Sequence, residues 1–183
     1  MMLDSLDISL LREINVNRMT ALDNPFILIT DSAPILAICI PLICIVIGLL
    51  KKRKKVWMKG LMMAASYILA AGILNIIKVL VIRPRPFTTY SFIQKLSNGG
   101  SSSFPSGHTS DAFAVATIVS FLFPKVAVVI PMFIWAALVG YSRMDLGVHY
   151  PSDVVGGAVI GAGSSLFVFW LYHRSKRKES ISS

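Results

Sequence analysis

Five apolar runs, each close to twenty residues long, constrain what this 183-residue chain can fold into. They cover about residues 33–50, 60–82, 106–123, 126–141 and 151–172. A helix needs about 20 apolar residues to cross the roughly 30 Å hydrocarbon core of a bilayer. Because 55% of the residues are hydrophobic and only 15% are charged, we expect an all-α membrane protein. It should have about five transmembrane helices within a single domain, residues 1–183.

The N-terminal residues 1–31 have a different pattern. Residues 4–17 mix Leu, Ile and Val with charged side chains, which is typical of a helix that lies at the membrane interface. A second interfacial piece is expected over residues 18–31, because Asp23-Asn24-Pro25 is a turn or helix-start signal. The first 25 residues contain four acids and no long apolar stretch, so we expect no secretory signal peptide there.

Positive charges cluster beside the apolar runs. The formal net charge of +9 would suit nucleic-acid binding, but Lys and Arg that flank membrane spans mark the cytoplasmic side. We therefore expect no nucleic-acid partner. Placing residues 51–59 in the cytoplasm puts the turn at 124–125 and the basic tail 173–183 on the same side. These segments hold eleven of the 18 Lys and Arg residues and one of the nine acids.

This distribution predicts a multi-pass cell-membrane protein whose C-terminus is cytoplasmic. The N-terminus, the loop 83–105 and the connection 142–150 should then face outward together. The loop 87–105 is polar and is expected to contain a short helix near residues 92–96. A loop of this length in a compact protein is often functional.

Ionisable side chains concentrate in the segment 142–153, where their cost at a membrane edge marks them as functional candidates. His149 and Asp153 are four residues apart, a spacing that places two side chains on one helical face. A carboxylate that binds one imidazole nitrogen leaves the other free to react, so the pair is interpreted as a nucleophile or base with its partner. Asp145 is an alternative partner, but Gly147 disfavours a helix there, and Asp145 is expected to cap or form a salt bridge locally.

Further polar residues are expected on the same membrane face. They are Lys78, Arg85, Ser106, Gly107, His108 and Arg143. Three cations would repel one another unless a dianion lay between them, and Arg and Lys both suit phosphate. Ser106 has the character of a helix N-cap, and the N–H groups of a helix start bind anions. Two histidines allow His149 to attack phosphorus while His108 protonates the leaving oxygen.

Three segments of the chain closely resemble the signature of the type 2 phosphatidic acid phosphatase family. They are Lys78-x6-Arg85-Pro86, Pro105-Ser106-Gly107-His108 and Ser142-Arg143-x5-His149-x3-Asp153. The family is the membrane branch of a superfamily that includes vanadium haloperoxidases and soluble bacterial acid phosphatases. The resemblance implies the helical core of that superfamily, with the site at the outer membrane surface. It also implies dephosphorylation through a phosphohistidine, without a metal or other cofactor.

The resemblance also assigns roles to residues. The catalytic residues would be His149, His108 and Asp153, and the substrate-binding residues Lys78, Arg85, Ser106, Gly107 and Arg143. The spacing of the family selects Arg85 over Arg83, which leaves Arg83 to bind a lipid headgroup or nothing.

The expected partners are the bilayer and a membrane lipid phosphate. The sequence does not indicate an oligomeric state. Small bacterial members of the family commonly act on undecaprenyl diphosphate, phosphatidylglycerol phosphate, phosphatidic acid or lipid A. Undecaprenyl diphosphate is favoured because a polyprenyl diphosphate needs no large headgroup pocket. The alternatives are phosphotransfer to another acceptor and a transporter that binds an anionic lipid without cleaving it.

Two other patterns carry structural predictions. Gly157-x-x-x-Gly161 in the last apolar run predicts close helix packing. Cys39 and Cys44 are five apart in an apolar run and lack His or carboxylate neighbours, so they are interpreted as small buried hydrophobic residues and not as metal ligands.

Overall fold

The computed structural model describes the backbone of residues 2–182 and the side chains of residues 5–177. Across these residues the regular structure consists of helices, so the predicted all-α fold is confirmed. The elements are α1 (Met2–Val16), a 3-10 helix (Thr20–Leu22), α2 (Asp23–Leu50), α3 (Lys54–Leu80), α4 (Pro86–Thr89), α5 (Gly107–Leu122), α6 (Val126–Asp145) and α7 (Pro151–Ser182).

Helix α5 lies at the centre of the fold and packs against α2, α3, α6 and α7. Ten of its 16 residues are buried. The surrounding helices expose large apolar side chains on their outer surfaces, including Leu50, Val79 and Val155 at 78%, 77% and 63% exposure. Apolar surface on this scale is unfavourable in water, and in a membrane it contacts the lipid chains.

Four helical segments are long and apolar enough to cross a membrane. They are Thr20–Leu50, Lys54–Leu80, Val126–Asp145 and Pro151–Arg177. They correspond to four of the five predicted spans, and the fifth corresponds to α5. The 16 residues of α5 extend about 24 Å, which is short for a lipid-exposed span. The other four helices surround α5, so its short length does not expose its ends to lipid. The chain is therefore a multi-pass membrane protein built around an internal helix.

Several predicted boundaries are wrong. Helix α2 starts at Asp23 instead of near residue 33, so residues 23–31 belong to the span and do not form a second interfacial piece. Asp23 favours a helix N-terminus because of the helix dipole, and Pro25 is tolerated in a first turn. Helix α6 continues one turn beyond residue 141, and α7 continues beyond the predicted end of its span at residue 172 into the basic tail.

Two local predictions also need correction. The short helix in the polar loop is α4, which begins at Pro86 and not near residues 92–96. Pro86 suits a helix start because its fixed φ is already helical. Cys39 is exposed on the outer surface of α2, while Cys44 is half-buried. The prediction that both cysteines are buried is therefore wrong for Cys39.

Helix α1 lies at the end of the molecule where the loop 83–105 and the connection 146–150 meet. Leu11 is fully buried in a cluster with Ile93 and Tyr150. Asn15 is also fully buried, and its Nδ2 donates to the carbonyl oxygens of Gln94 and Asp145, at 3.1 and 2.7 Å. Through these contacts α1 connects the polar loop to the end of α6.

The two glycines of the Gly157-x-x-x-Gly161 pattern lie where α7 crosses α5. A Cβ added to Gly157 would lie 2.4 Å from the Ser106 carbonyl oxygen, and one added to Gly161 would lie 2.2 Å from that of Ser110. Both distances are far below van der Waals contact. The prediction of close helix packing is therefore confirmed.

We expect Gly161→Ala to lower the thermal unfolding temperature of the detergent-solubilised protein, because the methyl group would separate α5 from α7. Overpacking of this kind costs about 1–3 kcal/mol. Gly163→Ala, on the same helix, is the matched control, because nothing lies within 4 Å of the position that its Cβ would occupy. The control gains up to about 1 kcal/mol of helix propensity. Equal unfolding temperatures for the two variants would contradict the close packing.

Candidate active site

Three segments that are far apart in sequence meet at one end of the helix bundle. Arg85 Nη1 donates to the carbonyl oxygen of Val148 at 2.9 Å, and Arg143 Nη2 donates to that of Asn98 at 3.3 Å. The backbone N–H of Ser106 donates to the carbonyl oxygen of Asp153 at 3.0 Å. The predicted convergence of the loop 83–105, the start of α5 and the segment 142–153 is found.

His149 and Asp153 form a buried pair, with side chains only 2% and 0% exposed. The distance from His149 Nδ1 to Asp153 Oδ2 is 3.4 Å. The two residues do not share a helical face as predicted, because α7 begins at Pro151 and His149 precedes it. They meet because Asp153 lies in the first turn of α7 and the chain folds back over it.

A tight turn directs His149 to this position. Gly147, between the end of α6 and His149, has φ +73°, which side chains other than glycine rarely adopt. A Cβ there would also lie 2.2 Å from the Gln94 carbonyl oxygen. The turn therefore requires glycine both for its backbone conformation and for the close approach of the polar loop.

The second imidazole nitrogen of His149 faces Arg85, with 3.4 Å between Nε2 and Nη1. Burial lowers the pKa of His149 to about 4; Asp153 opposes this shift, whereas Arg85 and Arg143 add to it. The imidazole is therefore neutral at neutral pH. A neutral imidazole has a lone pair on one nitrogen, as a nucleophile or a base requires.

Arg85 is 5% exposed and reaches three backbone carbonyl oxygens in addition to His149. Arg143, at the end of α6, is 1% exposed. Its Nη1 donates to Thr30 Oγ1 at 2.9 Å, but its buried Nε has no hydrogen-bond partner. Lys78, in the last turn of α3, donates from Nζ to the carbonyl oxygen of Ser102 at 3.3 Å.

None of the salt bridges between described side chains includes Lys78, Arg85 or Arg143. The three cations lie within electrostatic range of one another. Charges of one sign that are held close together repel one another, so this arrangement favours an anion between them. The unpaired Nε–H of Arg143 is one donor that such an anion can use.

Ser106, Gly107 and His108 form the start of α5. Ser106 occupies the N-cap position, as predicted, but its hydroxyl lies 2.8 Å from Thr109 Oγ1 and caps no backbone N–H. The N–H groups of this helix start are therefore left without a side-chain cap. A Cβ on Gly107 would meet only Leu74, at 4.0 Å, so a small residue keeps the approach to the helix start open.

His108 is half-buried and opens into a cavity of about 480 Å³ that Asp31, Lys95 and Asn98 also line. It lies within electrostatic range of His149 and of the three cations. A larger cavity, of about 670 Å³, lies between α1 and the segment 90–92 and contains none of the motif residues. Size alone therefore does not locate the site.

Arg83 and Asp145, the alternatives to Arg85 and Asp153 in the sequence, differ in their contacts. Arg83 donates from Nη1 to Asp153 Oδ1 and from Nη2 to Asp7 Oδ2, so the alternative that it binds nothing is wrong. A contact with a lipid headgroup stays a prediction. None of the described salt bridges includes Asp145, whose buried Oδ2 lacks a hydrogen-bond partner. The expected local cap or salt bridge of Asp145 is not found.

Three further residues bind the Asp153 carboxylate and have no motif that would reveal them. Ser103 Oγ and the N–H of Tyr150 donate to Oδ2, and Arg83 donates to Oδ1. Only the abundance of Ser in residues 97–103 hints at hydroxyl donors in this loop. Within residues 5–177, no group of three His, Cys, Asp or Glu side chains has the geometry of a metal site.

Together these features describe a helical membrane protein with a neutral histidine, a carboxylate partner and three unpaired cations at one end of the bundle. The chain belongs to the PAP2 superfamily, whose family model matches residues 59–177. That stretch contains all three motifs, and the resemblance seen in the sequence is confirmed.

Two relatives illustrate the similarity. An undecaprenyl-diphosphatase of Bacillus subtilis (strain 168) is 32% identical over 113 residues, which is 57% of this chain and 58% of that protein. A lipid A 4'-phosphatase of Bacteroides thetaiotaomicron is 36% identical over 52% of this chain and 43% of that protein. The chain spans about half the length of the curated relatives it matches.

Two solved structures have the same fold over most of the chain. The crystal structure of Aquifex aeolicus LpxE superposes with a TM-score of 0.76 and 28% identity, over 90% of this chain and 94% of that one. A transmembrane PAP2-type phosphatidylglycerolphosphate phosphatase from Bacillus subtilis also gives 0.76 and 28%, over 94% and 87%.

Proposed function

We propose that this chain is a membrane lipid phosphatase that hydrolyses a phosphomonoester or diphosphate through a phosphohistidine. The observation that carries the proposal is the neutral, buried His149 beside three cations that have no carboxylate partner. A lipid phosphate supplies the missing negative charge. The relatives named above are phosphatases of membrane lipids, which supports the same class of reaction here.

In the first step, His149 attacks phosphorus, a nitrogen–phosphorus bond forms, and the bond to the leaving oxygen breaks. His108 donates a proton to that oxygen. Asp153 stabilises the positive charge that develops on the imidazole of His149. In the second step, water gives a proton to His108 and its oxygen attacks phosphorus, while the nitrogen–phosphorus bond to His149 breaks. Inorganic phosphate is released and both histidines are restored.

Charge stabilisation accounts for most of the proposed acceleration, because phosphate monoester hydrolysis is among the slowest uncatalysed reactions. Lys78, Arg85 and Arg143 bind the equatorial oxygens of the phosphoryl group. The N–H groups of Gly107 and His108, in the first turn of α5, have no side-chain cap and add a helix N-terminus on the same side. These groups are held in place before the substrate arrives, so little reorganisation accompanies the reaction.

Among possible substrates, we favour undecaprenyl diphosphate. The undecaprenyl-diphosphatase relative supports it, and a polyprenyl diphosphate needs room for phosphate but for no further headgroup. The excess of Lys and Arg at the opposite end of the bundle supports an extracytoplasmic site and a cytoplasmic C-terminus. The tail of the substrate would then stay in the bilayer while its phosphate enters the site.

A phosphate-release panel with purified protein tests this proposal. The panel contains undecaprenyl diphosphate, phosphatidylglycerol phosphate, phosphatidic acid and lipid A, with His149→Ala as the blank. Release from at least one lipid, absent in the blank, supports the phosphatase. Binding of every lipid phosphate without turnover favours a transporter. Transfer of phosphate to an added lipid or sugar, without release, favours a phosphotransferase.

The pH dependence of kcat/KM should report the low pKa of His149. The imidazole attacks in its neutral form, which persists above its folded pKa of about 4. On the acid side of the pH profile, the fall in kcat/KM that reports the enzyme (the acid limb) should therefore lie near pH 4. This is well below the ordinary histidine pKa of about 6.5. Substrate ionisation near pH 6 gives a separate limb, which moves when the substrate is changed. An enzyme limb that remains near 6.5 for every substrate would contradict the buried, neutral His149.

Chelation should leave phosphate release unchanged. The proposed charge stabilisation comes from Lys78, Arg85 and Arg143, so no step depends on a bound cation. The measurement is the initial rate after dialysis against EDTA, compared with an undialysed sample. A loss of rate that added divalent metal restores would show that a metal takes part.

A further inference from the structure

Arg83 has no part in the chemistry proposed above, yet it contacts the Asp153 carboxylate directly. Its Nη1 lies 2.6 Å from Asp153 Oδ1, and its Nη2 lies 2.7 Å from Asp7 Oδ2. The guanidinium also stacks over the ring of Tyr150, 4.1 Å from the centroid. Burial alone would lower the pKa of Arg83, but its hydrogen bonds and charge interactions with Asp7 and Asp153 raise it. The side chain is therefore a fixed cation between two carboxylates.

Asp7 lies on α1 and is 8% exposed. In addition to Arg83, it accepts hydrogen bonds from the backbone N–H of Ser152, at 2.9 Å, and from the Ser152 hydroxyl. Ser152 directly precedes Asp153 in the first turn of α7. Asp7 consequently holds both the guanidinium that binds Asp153 and the backbone next to it.

The two oxygens of Asp153 therefore have separate partners. Oδ1 faces Arg83, while Oδ2 accepts from Ser103 Oγ and the Tyr150 N–H and lies 3.4 Å from His149 Nδ1. A carboxylate bound on only one oxygen can rotate about its Cβ–Cγ bond. With Arg83 on the other oxygen, that rotation would break a charge-assisted hydrogen bond.

We propose that Arg83 and Asp7 are positioning residues that fix the Asp153 carboxylate against His149, so that α1 is a functional part of the active site. The inference rests on the proposed phosphatase function. Arg83 and Asp7 would touch neither substrate nor the reacting atoms. Their effect on the reaction passes through Asp153 and then His149.

Charge gives this role a measurable signature. The ionisable groups that face His149 are Asp153 from α7, Arg85 from the segment before α4, Arg143 from α6 and His108 from α5. Removing the Arg83 cation leaves the charge of Asp153 less balanced, which favours the protonated imidazole. The acid limb of kcat/KM should then move to higher pH. Removing the charge of Asp7 has the opposite sign, so that limb should stay or move lower.

The experiment compares four variants in steady-state kinetics with the lipid that the panel identifies. Arg83→Gln should lower kcat roughly 10- to 100-fold, because a misplaced nucleophile loses rate, with KM little changed and the acid limb raised. Asp7→Asn should lower kcat less and should not raise the limb. Arg83→Lys should keep the limb in place but not restore kcat, because an ammonium cannot bridge both carboxylates. Arg12→Gln, an exposed cation on α1, should match the wild type.

The outcomes distinguish a failure of the proposed phosphatase function from a failure of the positioning role. If the wild type releases no phosphate from any lipid, the proposed function is wrong. If the wild type is active and Arg83→Gln matches Arg12→Gln in kcat and in pH profile, the positioning role alone is overturned. A fall in kcat with an unmoved acid limb and a lowered unfolding temperature would also overturn it, in favour of general destabilisation. If Arg83→Gln does not fold, the contrast between Arg83→Lys and Asp7→Asn decides by the same criteria.

Discussion

Replacing His149 with alanine is expected to lower phosphate release by about a thousandfold or more. The imidazole is the proposed attacking group, and no other described nucleophile has the same position between Asp153 and Arg85. Alanine leaves the three cations in place, so the variant should still bind lipid phosphate. The measurement is inorganic phosphate released per mole of protein, together with an unfolding temperature in detergent.

His173→Ala is the control for this variant. His173 is exposed near the far end of α7, where its ring lies 4.3 Å from that of Phe169, and it is the only histidine outside the motifs. It should retain the wild-type rate. A folded His149→Ala protein with substantial turnover would show that another group attacks phosphorus. Equal losses in the two variants would show that the loss is not specific to the site.

The parts of this structure that could be predicted from the sequence depend on local chemistry. Apolar runs near twenty residues predict helical spans, because a backbone in lipid must satisfy its own hydrogen bonds and a helix does so within one segment. The distribution of Lys and Arg predicted that Arg85, Arg143 and His149 would lie at one end of the bundle, and their contacts confirm it. Gly161 could be assigned to packing because its spacing from Gly157 matches one helical turn.

The parts that could not be predicted depend on tertiary contacts. Asp7 and Arg83 are 76 residues apart and Asp7 and Ser152 are 145 apart, so no local pattern reveals that they meet. The same limit explains why Arg83 was expected to bind a headgroup or nothing. The start of α2 was misplaced because Asp23 and Pro25, which suggest a turn, also suit the first turn of a helix.

His108→Ala is expected to separate the two chemical steps. Without a general acid, turnover of the lipid should fall about 10²- to 10⁴-fold, because an alkoxide or phosphate leaves poorly when it is not protonated. An aryl phosphate such as p-nitrophenyl phosphate has a leaving group that needs no proton. For this substrate the attack by His149 should remain fast in the variant.

The second step should still be slow, because His108 also accepts the proton of the attacking water. His108→Ala should therefore release p-nitrophenolate in a rapid burst of about one equivalent per protein and then turn over slowly. Stopped-flow absorbance measures both phases. His149→Ala should show no burst, since no phosphohistidine can form. If His108→Ala loses the burst as completely as it loses lipid turnover, His108 binds the phosphoryl group or positions His149, and the assignment of general acid is wrong.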